Sequence, residues 1–350
     1  MRIGLYGMPT AGKTYILDRL DFIEVIVGSR LLREYAPDFD SRDEAGREQA
    51  RKDVAKLMLE KPTFIMDGHY AFGDEIAFTE EEGNMYDVYI YLYIDPKILE
   101  QRMQASEKNR KYLRFDIAAW QKMEMQALRE YCHQHNKDFY IADNPPENCF
   151  DDVQLVVDFI REITNGFSSL QFACRCAEDI LTSTDSHEII LADGDKTLTI
   201  EDSSYEVFGY TTHLFDGNFY TGYQSWKQWL EFSTFSYSEK AELPVHLREN
   251  LINEKGVPLI ILTSGHNAVW EQISTKLGAR FYYGNMMSAE AKYFITKILQ
   301  DAGRKVIAYG DGMNDYFMLK QADKGYLIRK PNGSVSRSLK DRDLGGLNLV

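Results

Sequence analysis

Two aspartates that stand two positions apart, Asp193 and Asp195, follow directly after an apolar run at 188–192. Carboxylates at this spacing can divide the chemistry of phosphoester cleavage between them. One can attack phosphorus to form an aspartyl-phosphate, while the other protonates the leaving oxygen and later activates water. One carboxylate cannot play both roles at once. Asp193 and Asp195 are therefore candidates for these two roles.

Polar residues that suit a phosphate and a metal ion follow at three later points of the chain. Ser264 comes just after an apolar run at 259–262, where its hydroxyl can hold a phosphate oxygen. Lys292 lies near the start of a helical pattern and can neutralise the nucleophile and the phosphate. Asp311 and Asp315 follow another apolar run, and carboxylate oxygens are ligands that Mg²⁺ prefers.

In this order the four motifs resemble the signature of haloacid dehalogenase-like (HAD) phosphatases, nearest to phosphoserine phosphatase-like enzymes, over residues 188 to about 335. The resemblance implies a Rossmann-like core and a bound Mg²⁺. It implies that Asp193 is the nucleophile and Asp195 the general acid and base. It also implies that Asp193, Asp195 (through its carbonyl) and Asp311 hold the metal, with Asp315 supporting them. Another register would make Asp195 the nucleophile of a D-K-T motif like that of P-type ATPases. The T-L-T spacing after Asp195 and the lack of a membrane segment favour Asp193.

A second chemical motif lies near the N-terminus, where an apolar run is followed by the pattern G-x-x-x-x-G-K-T. Backbone N–H groups of such a loop can surround phosphates at the start of a helix. Lys13 is suited to neutralise the β and γ oxygens, and Thr14 to hold Mg²⁺. The predicted ATP-binding residues of this loop are Gly7, Pro9, Thr10, Ala11, Gly12, Lys13 and Thr14.

The region from residue 1 to about 164 resembles the nucleoside-monophosphate kinase group of P-loop proteins. Asp67 stands in a strand-end D-G motif like that of the family, which implies that it orients Mg²⁺ and its water or acts as a base. Arg102 and Arg110, followed by Arg114, resemble the family's arginine-bearing lid. Such arginines neutralise charge during phosphoryl transfer, so Arg102 and Arg110 are predicted to contact the nucleotide.

The acceptor segment of this group corresponds to residues 25–33, where Arg30 and Arg33 are candidate contacts. A polynucleotide kinase needs a carboxylate here to accept the proton of a sugar hydroxyl, and the segment contains no acid. The sequence therefore favours an acceptor that is already an anion, unless Asp67 supplies the base. His69, beside Asp67, is interpreted as a packing or hydrogen-bonding residue.

The strands and helices that must position these residues fall into two groups along the chain. Apolar runs alternate with longer helical patterns in each, which predicts two three-layer α/β/α domains with parallel sheets. Strands are predicted at 3–6, 24–27, 63–66, 88–94 and 138–141 in the first domain, and at 188–192, 259–262, 280–283, 306–309 and 325–328 in the second.

The predicted domain bounds follow from these groups. The kinase-like domain spans 1–165, a helical linker 166–187, the HAD-like domain 188–335, and a loosely held tail 336–350. A small inserted cap, rich in aromatic residues, is expected at about 200–257. Most of these aromatics should form the core of the cap, and Tyr220, Tyr223 and Trp226 are candidates to stack on a planar substrate group.

Composition limits the partners of the chain. A length of 350 residues suits two domains, and 44% hydrophobic with 27% charged residues is ordinary for globular proteins. The net charge of −14 disfavours nucleic acid, although it does not exclude nucleic-acid ends. Four cysteines without zinc spacing predict reduced thiols and a cytoplasmic location. No run is apolar enough over its length to predict a membrane span or an export signal.

Three hypotheses follow from the sequence. In the first, the chain is a bifunctional enzyme that phosphorylates a nucleotide-like or small phosphorylated acceptor with ATP and hydrolyses a phosphomonoester at a separate Mg²⁺ site. In the second, it acts on 5′-hydroxyl and 3′-phosphate ends, because its domain order resembles phage polynucleotide kinase-phosphatase. In the third, the N-terminal domain binds ATP without transferring phosphate and regulates the phosphatase.

Overall fold

The computed structural model describes residues 1–143, 150–209, 219–238, 242–248, 251 and 256–350, with only the backbone of 150–152. The chain forms two compact units, Met1–Phe167 and Ser168–Val350. Each contains one extended parallel sheet flanked by helices, so the predicted α/β class with parallel sheets is confirmed. Over these residues, no helix combines the length and the apolar character that crossing a bilayer requires.

The sheet of the first unit has the strand order β2-β3-β1-β6-β7, and every neighbouring pair is parallel. Its central strands are buried along nearly their whole length, as expected for a sheet covered on both faces. A separate antiparallel hairpin joins β4 to β5 and was not predicted. The strands are β1 Arg2–Tyr6, β2 Val25–Ile26, β3 Phe64–Asp67, β4 Ala71–Phe72, β5 Glu75–Ile76, β6 Val88–Tyr93 and β7 Asp138–Asp143.

Several helices of the first unit begin at a side chain that caps the first turn. Asp43, Thr79, Asp95 and Asp116 each accept a hydrogen bond from a backbone N–H of the helix that follows. These caps fix where the chain turns from loop into helix. The helices are α1 Lys13–Leu17, α2 Gly28–Tyr35, α3 Glu44–Met58, α4 Glu80–Met85, α5 Pro96–Ala105, α6 Ile117–His135 and α7 Phe150–Thr164.

The sheet of the second unit has the order β10-β9-β8-β11-β12-β13, again with parallel pairs throughout. The strands β8 and β11 are central neighbours and end at the same edge, because Ala192 pairs with Tyr309. The residues that follow these two strands therefore lie close together. The strands are β8 Glu188–Ala192, β9 Leu259–Leu262, β10 Arg280–Tyr282, β11 Lys305–Gly310, β12 Lys324–Leu327 and β13 Asn348–Leu349.

The helices of the second unit pack on both faces of this sheet or belong to the region predicted as a cap. In that region the structure describes two helices and a bridge between Thr199 and Leu247. The rest of the predicted cap at 210–218, 239–241, 249–250 and 252–255 lies outside the described residues. The helices are α8 Ser169–Ser183, α9 Ser203–Phe208, α10 Gly222–Phe232, α11 Asn267–Leu277, α12 Ala289–Asp301 and α13 Tyr316–Gln321.

Two segments differ from their predicted roles. The expected linker 166–187 contains α8, whose Ala173, Ala177 and Ile180 are buried in the same cluster as the side chains of β8. The helix is amphipathic and covers the sheet, so it belongs to the second unit. The expected tail 336–350 is held as well, because its strand β13 pairs with β12. This pairing satisfies backbone groups that an edge strand would otherwise expose.

Candidate active sites

The predicted phosphate loop leaves β1 in a conformation that few residue types adopt. Gly7 has φ of 149° and Gly12 has φ of 94°, both in the region that favours glycine. Thr10 has φ of 68° without being glycine. Its hydroxyl oxygen is buried and has no hydrogen-bond partner among the described residues. A strained residue with an unused polar atom indicates that the loop is built for something other than stability.

Lys13 is buried within this loop, with 6% of its surface exposed. Its Nζ donates to the carbonyl oxygen of Gly7 at 2.5 Å and lies 3.4 Å from that of Met8. Burial lowers the pKa of Lys13 to about 8, although Asp67 and Glu124 oppose the shift. The ammonium group therefore lacks a full set of compensating charges, and a bound anion would provide them.

His69 lies close to the same ammonium group. Its Nδ1 is 3.4 Å from Lys13 Nζ. Burial and the charge of Lys13 hold the pKa of His69 well below its usual range, so the imidazole is neutral and its Nδ1 can accept a hydrogen bond from the lysine. Its ring also packs against Phe72 at a centroid distance of 4.8 Å. The predicted packing and hydrogen-bonding role agrees with these contacts, but the proximity to Lys13 was not foreseen.

Asp67 ends β3 beside the phosphate loop and connects it to the acceptor segment. In the sheet it pairs with Leu5, two residues before Gly7. Its Oδ1 accepts a hydrogen bond from the backbone N–H of Gly28, the first residue of α2, at 2.8 Å. A Cβ at position 28 would stand 2.6 Å from the carbonyl oxygen of Asp67. The close approach of the two backbones requires glycine there.

The predicted arginines have different surroundings. Arg102 reaches the loop, and its Nη1 donates to the carbonyl oxygen of Thr10 at 3.2 Å. Arg110 is exposed and bonds the carbonyl oxygen of Gln104. In the acceptor segment, Arg33 pairs with Asp40 at 2.9 Å. The structure therefore brings Arg102 to the phosphate loop and leaves Arg110 bonded to the end of the preceding helix α5.

One buried acid of this unit was missed by the sequence reading. Glu124 on α6 is fully buried and accepts hydrogen bonds from the Ala71 N–H at 3.0 Å, the Tyr91 hydroxyl at 2.7 Å and the Trp120 indole at 3.1 Å. Burial raises its pKa, against the effect of these partners and of Lys13. The only signal in the sequence was its spacing of four from Trp120 and Leu128, which places all three on one helix face.

In the second unit, three aspartates converge at the edge of the sheet. Asp193 follows β8 and Asp311 follows β11, while Asp315 precedes α13 by one residue. One carboxylate oxygen from each lies within 4.8 Å of the others. Lys292, fully buried on α12, donates to Asp193 at 2.6 Å and to Asp315 at 2.8 Å. This helix begins at Ser288, whose hydroxyl accepts from the N–H of Ala291.

The charges of this cluster strongly affect one another. Burial and the neighbouring Asp315 raise the pKa of Asp193 well above its usual range, although Lys292 opposes the shift. Burial and Asp315 raise the pKa of Asp311 to about 7. For Lys292, burial lowers the pKa, but the two aspartates outweigh it, so the net shift is upward. The aspartates therefore carry more negative charge than one lysine can balance, and a cation fits among them.

The side chain of Asp195 has different partners from the other acids. Its Oδ1 accepts from the N–H of Ser203 at 2.7 Å, and its Oδ2 lies 3.3 Å from the indole nitrogen of Trp270. Burial and the charge of Asp202 raise the pKa of Asp195 to about 6. The three side chains that form the carboxylate cluster are those of Asp193, Asp311 and Asp315, so the cluster includes Asp315, which was expected only to support the metal, and not Asp195. The predicted metal contact of Asp195 involved its main-chain carbonyl and stays a prediction.

Ser264 is held at the same edge by three hydrogen bonds. Its hydroxyl donates to the carbonyl oxygen of Met287 at 2.7 Å and accepts from the Asn314 amide at 3.1 Å. Its carbonyl oxygen accepts from the Gln228 amide at 3.2 Å. The amide oxygen of Asn314 is buried without a hydrogen-bond partner in the described part of the chain. An unsatisfied acceptor of this kind is available to a ligand.

A pocket of about 240 Å³, partly open to solvent, joins these groups. Tyr220, Gln228 and Phe232 line it from the predicted cap region, and Ser336 and Ser338 from the segment predicted as a tail. All three stacking candidates are buried, but of these only Tyr220 lines the pocket. The two serines were missed because they lie far from every motif in sequence.

Comparison with known proteins gives only distant similarities. No protein-family model and no curated protein matches the sequence. A shikimate kinase from Bacteroides thetaiotaomicron is 19% identical with a TM-score of 0.34, over 47% of this chain and 98% of that one. A shikimate kinase from Acinetobacter baumannii in complex with shikimate is 16% identical with a TM-score of 0.34, over 48% and 95%.

A substrate-bound phosphoserine phosphatase is 20% identical with a TM-score of 0.30, over 43% of this chain and 90% of that one. The matches thus include a kinase for the N-terminal half of the expectation and a phosphatase for the C-terminal half. At these values of identity and TM-score, the function of the chain has to be argued from its own residues.

Proposed function

We propose that the chain is an enzyme with two separate sites for phosphoryl groups. The unit Ser168–Val350 hydrolyses a phosphomonoester with the help of Mg²⁺, and the unit Met1–Phe167 transfers phosphate from ATP to a small phosphorylated or nucleotide-like acceptor. The observation that carries the proposal is the contact of fully buried Lys292 with both Asp193 and Asp315, beside Asp311 at one edge of the pocket.

This arrangement has no simple explanation in terms of stability. Buried charges cost free energy that their mutual attraction rarely exceeds, so apolar residues of similar volume would stabilise the fold at least as well. Perturbed carboxylates that line a pocket are typical of catalytic sites. Asp193 is both buried and part of the pocket lining. These features support a role for the cluster in chemistry.

The proposed reaction has two balanced steps. A carboxylate oxygen of Asp193 forms a bond to phosphorus while the bond to the leaving oxygen breaks, and Asp195 gives that oxygen its proton. Water then attacks the phosphorus of the aspartyl-phosphate, Asp195 takes the proton, and the bond to Asp193 breaks to release phosphate. A pKa of about 6 leaves Asp195 able to give and take a proton near neutral pH.

The remaining residues hold the phosphate and a metal ion. The Ser264 hydroxyl would donate to a phosphate oxygen after turning away from the Met287 carbonyl, and Lys292 keeps the nucleophile in place and offsets its charge. The all-oxygen donor set of Asp193, Asp311 and Asp315 fits Mg²⁺, with the Asp195 carbonyl as a further proposed ligand. When bound, this ion would supply positive charge to the phosphoryl oxygens.

The kinase proposal rests on the phosphate loop. Its backbone is strained at Thr10, its lysine is buried against loop carbonyls, and Arg102 contacts its backbone. On ATP binding, Lys13 would turn to the phosphates and Thr14, exposed in the first turn of α1, would contact Mg²⁺. Asp67 would orient that ion while it holds the acceptor segment through Gly28. Arg110 would have to move to reach the nucleotide.

The phosphatase is tested with p-nitrophenyl phosphate. Turnover that needs Mg²⁺, stops with a chelator and is absent in Asp193→Asn supports the proposal. Metal-independent turnover, or unchanged turnover in the variant, contradicts it.

The kinase is tested with γ-labelled ATP and two acceptor panels. One contains nucleoside monophosphates and small phosphorylated metabolites, and the other contains 5′-hydroxyl oligonucleotides. Transfer to the first panel supports the proposal. Transfer to oligonucleotides alone means an enzyme of nucleic-acid ends, with Asp67 as the base. Binding of ATP without any transfer means a nucleotide sensor.

A further inference from the structure

The pocket of the second unit has an outer wall that the proposed chemistry does not use. This wall comes from the cap region and from the C-terminal segment, so a leaving group bound in the same pocket would contact it. Its side chains are hydroxyls, an amide and aromatic rings. They are Ser204, Tyr220, Gln228, Phe232, Ser336 and Ser338.

Hydrogen bonds hold the polar groups of this wall in place. The Tyr220 hydroxyl donates to the amide oxygen of Gln228, whose nitrogen donates to the Ser264 carbonyl. The Ser338 hydroxyl accepts from the Met313 N–H at 3.0 Å and lies 2.9 Å from the Ser336 hydroxyl. The wall is therefore an ordered set of neutral groups, and serine hydroxyls can both donate and accept.

The charges of the pocket are mostly negative. Five aspartates line it, at positions 193, 195, 202, 311 and 315. Within the described lining, the only basic side chain is Lys196, and its Nζ is already paired with Asp202 at 2.6 Å. Lys292 is committed to Asp193 and Asp315. Even one Mg²⁺ would leave these carboxylates in excess, and the phosphate of the substrate adds further negative charge.

A second anionic group on the substrate would therefore find no cation in the described lining. Placing an unpaired charge in a partly desolvated, negative pocket is unfavourable. A hydroxylated neutral group finds serine hydroxyls and an amide to bond, and its apolar face finds Phe232. We infer that the phosphomonoester hydrolysed here has an uncharged, polyhydroxylated leaving group of the sugar type, and this rests on the proposed phosphatase function.

The first test compares kcat/KM for several phosphomonoesters with the full-length protein and Mg²⁺. Hexose monophosphates represent neutral hydroxylated leaving groups, while phosphoserine, phosphoglycolate and a hexose bisphosphate carry further charge. p-Nitrophenyl phosphate reports the chemistry without a specific leaving group. We expect kcat/KM to be at least about tenfold higher for the neutral class, which corresponds to about 1.4 kcal/mol.

The outcomes separate the two proposals. Cleavage of p-nitrophenyl phosphate together with equal or better cleavage of the charged esters overturns the inference alone. Absence of cleavage with every ester overturns the proposed phosphatase and the inference with it.

A second test adds a cation to the wall. Ser336→Arg should raise the kcat/KM ratio of charged to neutral esters by about fivefold or more, because it supplies the missing partner for a second anion. Ser334→Arg makes the same change two residues earlier, at an exposed position outside the lining, and should leave the ratio unchanged. An equal effect of both variants, or of neither, contradicts the inference.

Arg337 provides a final check, because it lies between the two wall serines, is exposed and is not part of the lining. Arg337→Ala should not change the ratio of charged to neutral esters. If charged esters are preferred and the preference is lost in this variant, Arg337 binds the second anion and the inference is wrong.

Discussion

The two units each bury one lysine at a proposed phosphate site, but the surroundings of the two lysines are opposite. Lys13 donates to a backbone carbonyl of its own loop, and burial lowers its pKa to about 8. Lys292 bonds two carboxylates, and their charges raise its pKa despite burial. The first site is therefore short of negative charge, while the second is short of positive charge.

This difference indicates what each site needs in order to work. An anion such as a triphosphate completes the site around Lys13, whereas the site around Lys292 needs a cation before it can accept a phosphate. The same difference predicts that substitutions of the two lysines change the stability of their units differently. Removing Lys13 takes away an ammonium group that is poorly compensated, but removing Lys292 leaves two buried carboxylates unpaired.

The largest expected effect is on catalysis in the second unit. Asp193→Asn removes the proposed nucleophile and should lower kcat for p-nitrophenyl phosphate by at least about a thousandfold. ATP binding in the first unit, measured by calorimetry, should not change. Asp341→Asn, at an exposed position, serves as the control. A normal rate in Asp193→Asn would assign the nucleophile to another residue.

The next effect concerns the stability of the second unit. Lys292→Met should destabilise it by about 3–5 kcal/mol, because Asp193 and Asp315 lose their common partner. The measurement is urea unfolding without added metal, followed for the second unit. Lys330→Met, an exposed lysine of the same unit, is the matched control. A loss below about 1 kcal/mol would show that the charges of the cluster are not coupled as the distances indicate.

The corresponding change in the first unit should behave differently. Lys13→Ala should weaken ATP binding by about a hundredfold, as expected when a charged hydrogen-bond donor is lost. It should leave both the unfolding free energy and the turnover of p-nitrophenyl phosphate nearly unchanged. Calorimetry, urea unfolding and the phosphatase assay measure the three quantities. A large loss of stability would contradict the contrast between the two lysines.

The smallest effect concerns Glu82, a partly buried acid of the first unit. Glu82 accepts from the Tyr6 hydroxyl at 2.5 Å, and burial raises its pKa to about 7. The folded state therefore holds this proton more tightly than the unfolded state. Its contribution to stability is greatest below about pH 4.5, declines as pH rises to about 7, and then stays constant.

Glu82→Gln should remove this decline, since glutamine is neutral at every pH. Relative to the natural protein, the free energy of unfolding of the variant should rise by between about 1 and 3 kcal/mol on going from pH 5 to pH 8. Urea unfolding of the first unit at both values gives the difference. Glu80→Gln, an exposed acid of the same helix, should show no such gain. An equal effect of Glu82→Gln at both values would refute the assigned pKa.

Local pattern alone determined most of the strands. The runs at 188–192 and 259–262 coincide with β8 and β9, because a buried parallel strand is apolar on both faces. The sequence did not predict the hairpin of β4 and β5 or the strand β13. Each of these strands has two residues and exists only because a partner strand lies beside it.

The sequence also predicted which residues should gather at each site, since residues that follow parallel strands meet at one edge of a sheet. Asp193 and Asp311 do so. It could not predict the contact of His69 with Lys13, the buried position of Glu124, or the wall formed by Ser336 and Ser338. A motif records short spacings, whereas these contacts join residues that are distant in the chain. Only the packing within each folded unit brings these residues together, and their burial and neighbours then shift their pKa values.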